Sequence, residues 1–124
     1  MKEALPRIIL TGFMCAGKTT VAHALARRLD CRLIDLDEFI ATREGRSISA
    51  IISEDGEAKF REVETRALQD ALEESAARII ALGGGAWTLE RNRAALAEHD
   101  CMTVWLDAPF ELCWQRIMND SSLR

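Results

Sequence analysis

An apolar run, Ile8-Ile9-Leu10, leads directly into Gly12-Phe13-Met14-Cys15-Ala16-Gly17-Lys18-Thr19, and this junction constrains the fold more than any other segment. The eight residues fit G-x-x-x-x-G-K-[ST], and a helical pattern follows them to Leu29. Gly12 and Gly17 permit backbone approaches that a Cβ would block. Successive N–H groups can then curl around a polyphosphate, with the helix N-terminus adding roughly half a positive charge. Lys18 is placed to reach the β- and γ-phosphates, and the Thr19 hydroxyl to help hold Mg2+. The competing reading is a glycine-rich turn with Lys18 solvated. The strand before the loop and the helix after it favour a nucleotide-phosphate cradle.

The 124 residues are enough for one domain with its own core, and residues 1–124 read as a single domain. A formal net charge of −4 argues against a broad nucleic-acid surface but leaves room for a local cationic pocket. No apolar stretch approaches the about 18 residues of a membrane span, and residues 1–7 lack the apolar centre of a secretory signal. Cys15, Cys31, Cys101 and Cys113 are widely spaced, without C-x-x-C or a zinc pattern, as expected of reduced thiols in a cytoplasmic protein. Cys15 beside Lys18 is either a reactive thiol or a small buried loop residue.

Short apolar strands alternate with helices along the chain. Strands are expected over residues 7–11, 32–35, 77–82 and 103–106, and helices over 18–29, 38–43, 55–75, 88–98 and 109–118. Val21, Leu25 and Leu29 form the expected apolar stripe of the first helix. Gly45 stops the second helix, and Ser47 caps a further short one that carries Ile48, Ile51 and Ile52 inward. Phe60, Val63, Ala67, Leu68 and Leu72 line the long helix. The alternation predicts an α/β fold, a mostly parallel sheet with helices on both faces. Ligands bind such sheets beyond the carboxyl ends of the strands, where Gly12, Asp35, Asp37 and Gly83-Gly84-Gly85 all fall.

Asp35 and Asp37 lie two residues apart, roughly 7 Å between Cα atoms if extended. Asp35 suits a hydrated Mg2+, and Asp37 can orient or deprotonate an alcohol. Alternatively, Asp37 caps the next helix and Asp35 is solvated. Arg61, with Glu57 and Glu64 at neighbouring helical positions, offers a planar fork for a carboxylate, or forms a solvated ion pair. The three glycines either bring N–H groups against a small polar substrate or make a tight turn.

Together these segments resemble the shikimate kinases. The matching residues are Gly12–Thr20, Ile34-Asp35-Leu36-Asp37, Gly56–Glu64, Ala81–Ala86 and Val104–Ala108, in the family's order across essentially the whole chain. The resemblance implies a three-layer P-loop kinase fold and ATP-dependent phosphorylation of the shikimate 3-hydroxyl, a step toward chorismate and aromatic amino acids. On the matched positions Gly12, Cys15, Ala16, Gly17, Lys18, Thr19 and Thr20 would bind ATP, and Thr19 and Asp35 would serve Mg2+. Asp37, Phe60, Arg61, Gly83, Gly84 and Gly85 would bind shikimate, with Asp37 the base and Glu64 supporting Arg61. Ile52 stands where the family's substrate wall often has a second aromatic. Members continue past the position of Arg124 through a mobile lid, and Arg124 matches the lid's phosphate-contacting, catalytic arginine. A chain ending there is expected to be a fragment or a poorly active form. The expected partner is shikimate alone, with no nucleic acid, no membrane and a monomeric state. A gluconate or nucleoside monophosphate kinase, or a nucleotide-binding module without turnover, is the alternative.

Overall fold

The computed structural model describes residues 6–12, 18–74 and 76–106, with only the backbone of Lys18, Thr19 and Glu74. Cys15, Ala16, Gly17, Arg124 and the helix expected over 109–118 lie outside the described residues.

Four strands, β1 (Ile8–Gly12), β2 (Leu33–Asp35), β3 (Ile79–Ala81) and β4 (Met102–Leu106), pair in parallel in the order β2-β3-β1-β4. Side chains alternate across a pleated sheet, and both faces here are apolar. Ile8, Leu10, Leu33, Ile79, Ala81 and Val104 meet helix α1 (Lys18–Leu29) through Ala22, Leu25 and Ala26. The intervening Ile9, Ile34, Ile80 and Leu82 meet the opposite layer. That layer comprises α2 (Leu36–Glu44), α3 (Ile48–Asp55), α4 (Glu57–Glu74) and α5 (Glu90–Glu98). The result is the expected three-layer α/β arrangement. Among the described residues, no helix is long and apolar enough to cross a membrane.

Several boundaries and faces differ from expectation for local reasons. The sheet-facing row of α1 is Ala22, Leu25 and Ala26, whereas Val21 is exposed, because a helix presents i, i+3 and i+4 rather than a strict fourfold repeat. Helix α2 starts at Leu36 because Asp35 supplies its N-cap, and Gly45 ends it as expected. Ser47 caps α3 through Ala50 N–H, and Ile51 is buried, but Ile52 faces outward. The Gly56 N–H bonds to Ile52 O and separates α3 from α4, so the long helix begins at Glu57 rather than 55. A 3-10 turn, Ala86–Thr88, precedes α5.

The buried row of α4 runs Phe60, Glu64, Ala67, Leu68, Ala71 and Leu72. Each large apolar member gains about 1.5–3 kcal/mol from burial, and this draws the intervening Glu64 into the interior. The register aligns Leu10 with Ala81, and Ala81 with Asp35. The residues that follow, Gly12, Gly83 and Asp37, therefore share one rim. Gly12 has φ +149°, and a Cβ there would collide with the Leu106 carbonyl oxygen of the adjacent strand. Only glycine starts the loop in this backbone.

Candidate active site

Asp35 ends β2 half-buried, and its Oδ1 accepts the Glu38 N–H at 3.3 Å. The helix cap is thus Asp35, not Asp37. That bond engages one carboxylate oxygen. Asp37 then falls in the first turn of α2, where the helix N-terminus favours a carboxylate.

The Asp37 carboxylate lies against the Gly83 backbone: a Cβ on Gly83 would fall 2.5 Å from Oδ1 and 2.9 Å from Oδ2. A Cβ on Gly85 would overlap the Arg61 guanidinium, 2.6 Å from Nη1. Among the described residues, a Cβ on Gly84 would meet nothing within 4 Å. None of the three has positive φ. A side chain at 83 or 85 would displace one of two charged groups, which is more than a tight turn needs glycine for. The turn therefore has an anion against Gly83 and a cation against Gly85, and no described residue fills the space at Gly84.

Arg61 is held from its own helix. Nη1 donates to Glu64 Oε1 at 3.0 Å and Nη2 to Glu57 Oε1 at 3.5 Å, and Cζ lies 5.3 Å from the Phe60 ring centre. Phe60 is 3% exposed, so its ring belongs to the core and forms a floor under Arg61. Glu57 is exposed and contributes little. Glu64 is 1% exposed and sets the guanidinium's place.

Burial lowers the Arg61 pKa, but the hydrogen bonds and charges of Glu64 and Glu57 outweigh it and leave the guanidinium raised above its usual value. Burial pushes the Glu64 carboxyl up and the nearby Asp37 charge adds to this, against the hydrogen bond from Arg61. The folded chain therefore binds the Glu64 proton more tightly than the unfolded chain does. This contribution to stability is complete below the ordinary glutamate value and is lost as pH rises through the raised one. Glu64→Gln lacks that slope. The excess Tm of the parent over the variant should shrink as pH rises from about 4.3 upward, and a growing excess would contradict the assignment.

A residue not singled out from the sequence also belongs here. Asn92 of α5 is fully buried, and its Nδ2 donates to Ala86 O at 2.9 Å. Its signal is the spacing with Ala95 and Leu96, which puts a polar residue on the buried row. Thr20 lies exposed in the first turn of α1. Cys15, Ala16, Gly17, Arg124 and the side chains of Lys18 and Thr19 are outside the described residues. Among those described, no three His, Cys, Asp or Glu cluster to hold a metal. One carboxylate at Asp35 fits a cation that keeps several waters, as Mg2+ does.

The shikimate kinase family model matches residues 14–124. A shikimate kinase from Salinibacter ruber is 41% identical over 121 residues, covering 95% of this chain and 57% of that protein. The structure of Acinetobacter baumannii shikimate kinase in complex with shikimate is similar at TM-score 0.84 and 40% identity, over 93% of this chain and 63% of that one. A gluconokinase from Sinorhizobium meliloti, at 16% identity and TM-score 0.57, shares the fold alone. The chain thus spans less than two thirds of these shikimate kinases' length and has the P-loop kinase fold. With motif order, sheet register and the 14–124 match in agreement, the chain belongs to the shikimate kinase family.

Proposed function

We propose that this chain carries the acceptor site of a shikimate kinase, which transfers the γ-phosphoryl group of ATP to the shikimate 3-hydroxyl. One observation carries the reading: Asp37 and Arg61 flank a glycine turn whose middle residue, Gly84, no described residue covers. Such a slot suits a small molecule with a carboxylate at one end and a hydroxyl at the other. The Acinetobacter relative binds shikimate, whereas the likeness to a gluconokinase extends to the fold alone.

The residues divide the work. Arg61 donates its fork to the carboxylate, with Glu64 holding it from behind. Asp37 accepts the hydrogen bond of the 3-hydroxyl and orients its oxygen toward the γ-phosphorus. As that O–P bond forms, the bond to the β–γ bridging oxygen breaks, the proton passes to Asp37 and ADP leaves. Gly12, Cys15, Ala16, Gly17, Lys18, Thr19 and Thr20 cradle the ATP phosphates, and Lys18 and Arg124 offset charge on the transferring group. Thr19 and Asp35 would hold Mg2+, which would supply neutralisation of phosphate charge.

The test is ADP release by the protein at its full natural length with ATP and Mg2+. Shikimate should stimulate turnover, and gluconate and nucleoside monophosphates should not. Equal stimulation by gluconate would overturn the proposal. Within the same assay, Gly85→Ala should raise the KM for shikimate about tenfold or more by displacing the Arg61 guanidinium. Its Tm should change little, because the atoms met are the end of a flexible side chain. An unchanged KM would place the carboxylate elsewhere.

A further inference from the structure

Asn92 does more than fill space between α4 and α5. It is completely buried, and both ends of its amide are used: Nδ2 donates to Ala86 O at 2.9 Å, and Oδ1 accepts from Thr65 Oγ1 at 2.7 Å. The Thr65 hydroxyl accepts in turn from Arg91 Nε at 2.9 Å. Ala86 directly follows Gly85, whose backbone lies against the Arg61 guanidinium. Thr65 directly follows Glu64, which grips that guanidinium from the other side. One hydrogen-bonded path therefore ties the glycine turn to the helix that carries Arg61. Packing alone would be served by a leucine of similar volume, whereas a buried amide is tolerated only when its bonds are made.

We propose that Asn92, through Thr65, is a positioning residue that sets the gap between the Gly83–Gly85 backbone and the Arg61 guanidinium. It thereby shapes the seat of the acceptor's carboxylate. The inference rests on the acceptor reading above. Neither residue touches the acceptor, so loss of the path should loosen acceptor binding while ATP binding and the chemical step persist.

Asn92→Leu keeps the volume and removes both bonds. In the protein at its full natural length it should raise the KM for shikimate about tenfold, the effect of roughly 1.4 kcal/mol. The KM for ATP and kcat should stay within about twofold, since they depend on distant contacts. Thr65→Val should raise the shikimate KM about threefold, and Thr65→Ser, which keeps the hydroxyl, should restore it. Should Asn92→Leu fail to fold, the Thr65 pair decides the matter. A shikimate KM unmoved in the folded variants, or one that rises together with the KM for ATP, overturns the inference while leaving the acceptor reading intact. A parent protein that does not phosphorylate shikimate overturns both.

Discussion

Asp37→Asn should lower kcat for shikimate phosphorylation by about a hundredfold to ten-thousandfold, the range for loss of a positioned general base. Asparagine has nearly the same shape and keeps an acceptor oxygen, so the acceptor hydroxyl can still be oriented. It cannot take the proton. Phosphoryl transfer through a loose transition state needs the proton removed late, which favours the lower end of that range. The Asp37 carboxylate also rests on the Gly83 backbone, and an amide fits there without a new clash. Steady-state kinetics at saturating ATP read the effect. A kcat within about threefold of the parent, with only KM changed, would make Asp37 a binding group and not the base.

Arg61→Ala should act on the other kinetic parameter. Truncating one side of a buried, hydrogen-bonded charge pair costs about 2–5 kcal/mol, so the KM for shikimate should rise about thirtyfold to several thousandfold. Loss of Arg61 also leaves Glu64 buried without its ion-pair partner. Burial already pushes the Glu64 carboxyl up, and loss of the Arg61 hydrogen bond and charge pushes it further, so proton uptake should offset part of the damage to stability. The double variant Arg61→Ala, Glu64→Gln separates the two effects. It should recover Tm relative to Arg61→Ala and leave KM just as high. Recovery of KM in the double variant would mean that Glu64, not the missing fork, was obstructing the acceptor.

Much of this was legible in the sequence because local signals and the global fold agree. Ile8-Ile9-Leu10 followed by glycine reads as a buried strand feeding a loop, and Ser47 and Gly45 mark helix ends by their own chemistry. Strand polarity alone puts Gly12, Asp35, Asp37 and Gly83–Gly85 on one rim, and the register aligns the strand ends that lead to them; Arg61 reaches that rim from α4, which strand polarity does not show. Less legible were features decided by tertiary contact. Glu64 and Asn92 occupy buried rows whose apolar members outweigh a single polar group. Asn92 also depends on a partner that sequence distance hides, Thr65 across 27 positions, whereas the partner of Glu64, Arg61, is one helical turn away and only the burial of Glu64 was hidden. Val21 and Ile52 show the reverse: apolar side chains at plausible spacings that stay partly exposed among the described residues. The role of glycine at 83 and 85 was visible only as a triplet. The physical cause, two charged groups pressed on the backbone, required the fold.

Product analysis tests the central claim most directly. The protein at its full natural length is mixed with ATP, Mg2+ and shikimate, and the products are followed by phosphorus NMR. The expected result is one phosphate monoester on the shikimate 3-hydroxyl, formed in step with ADP. ATP consumed without that ester, or an ester on another hydroxyl, would contradict the placement of Asp37 and Arg61 on either side of the glycine turn as the acceptor's seat.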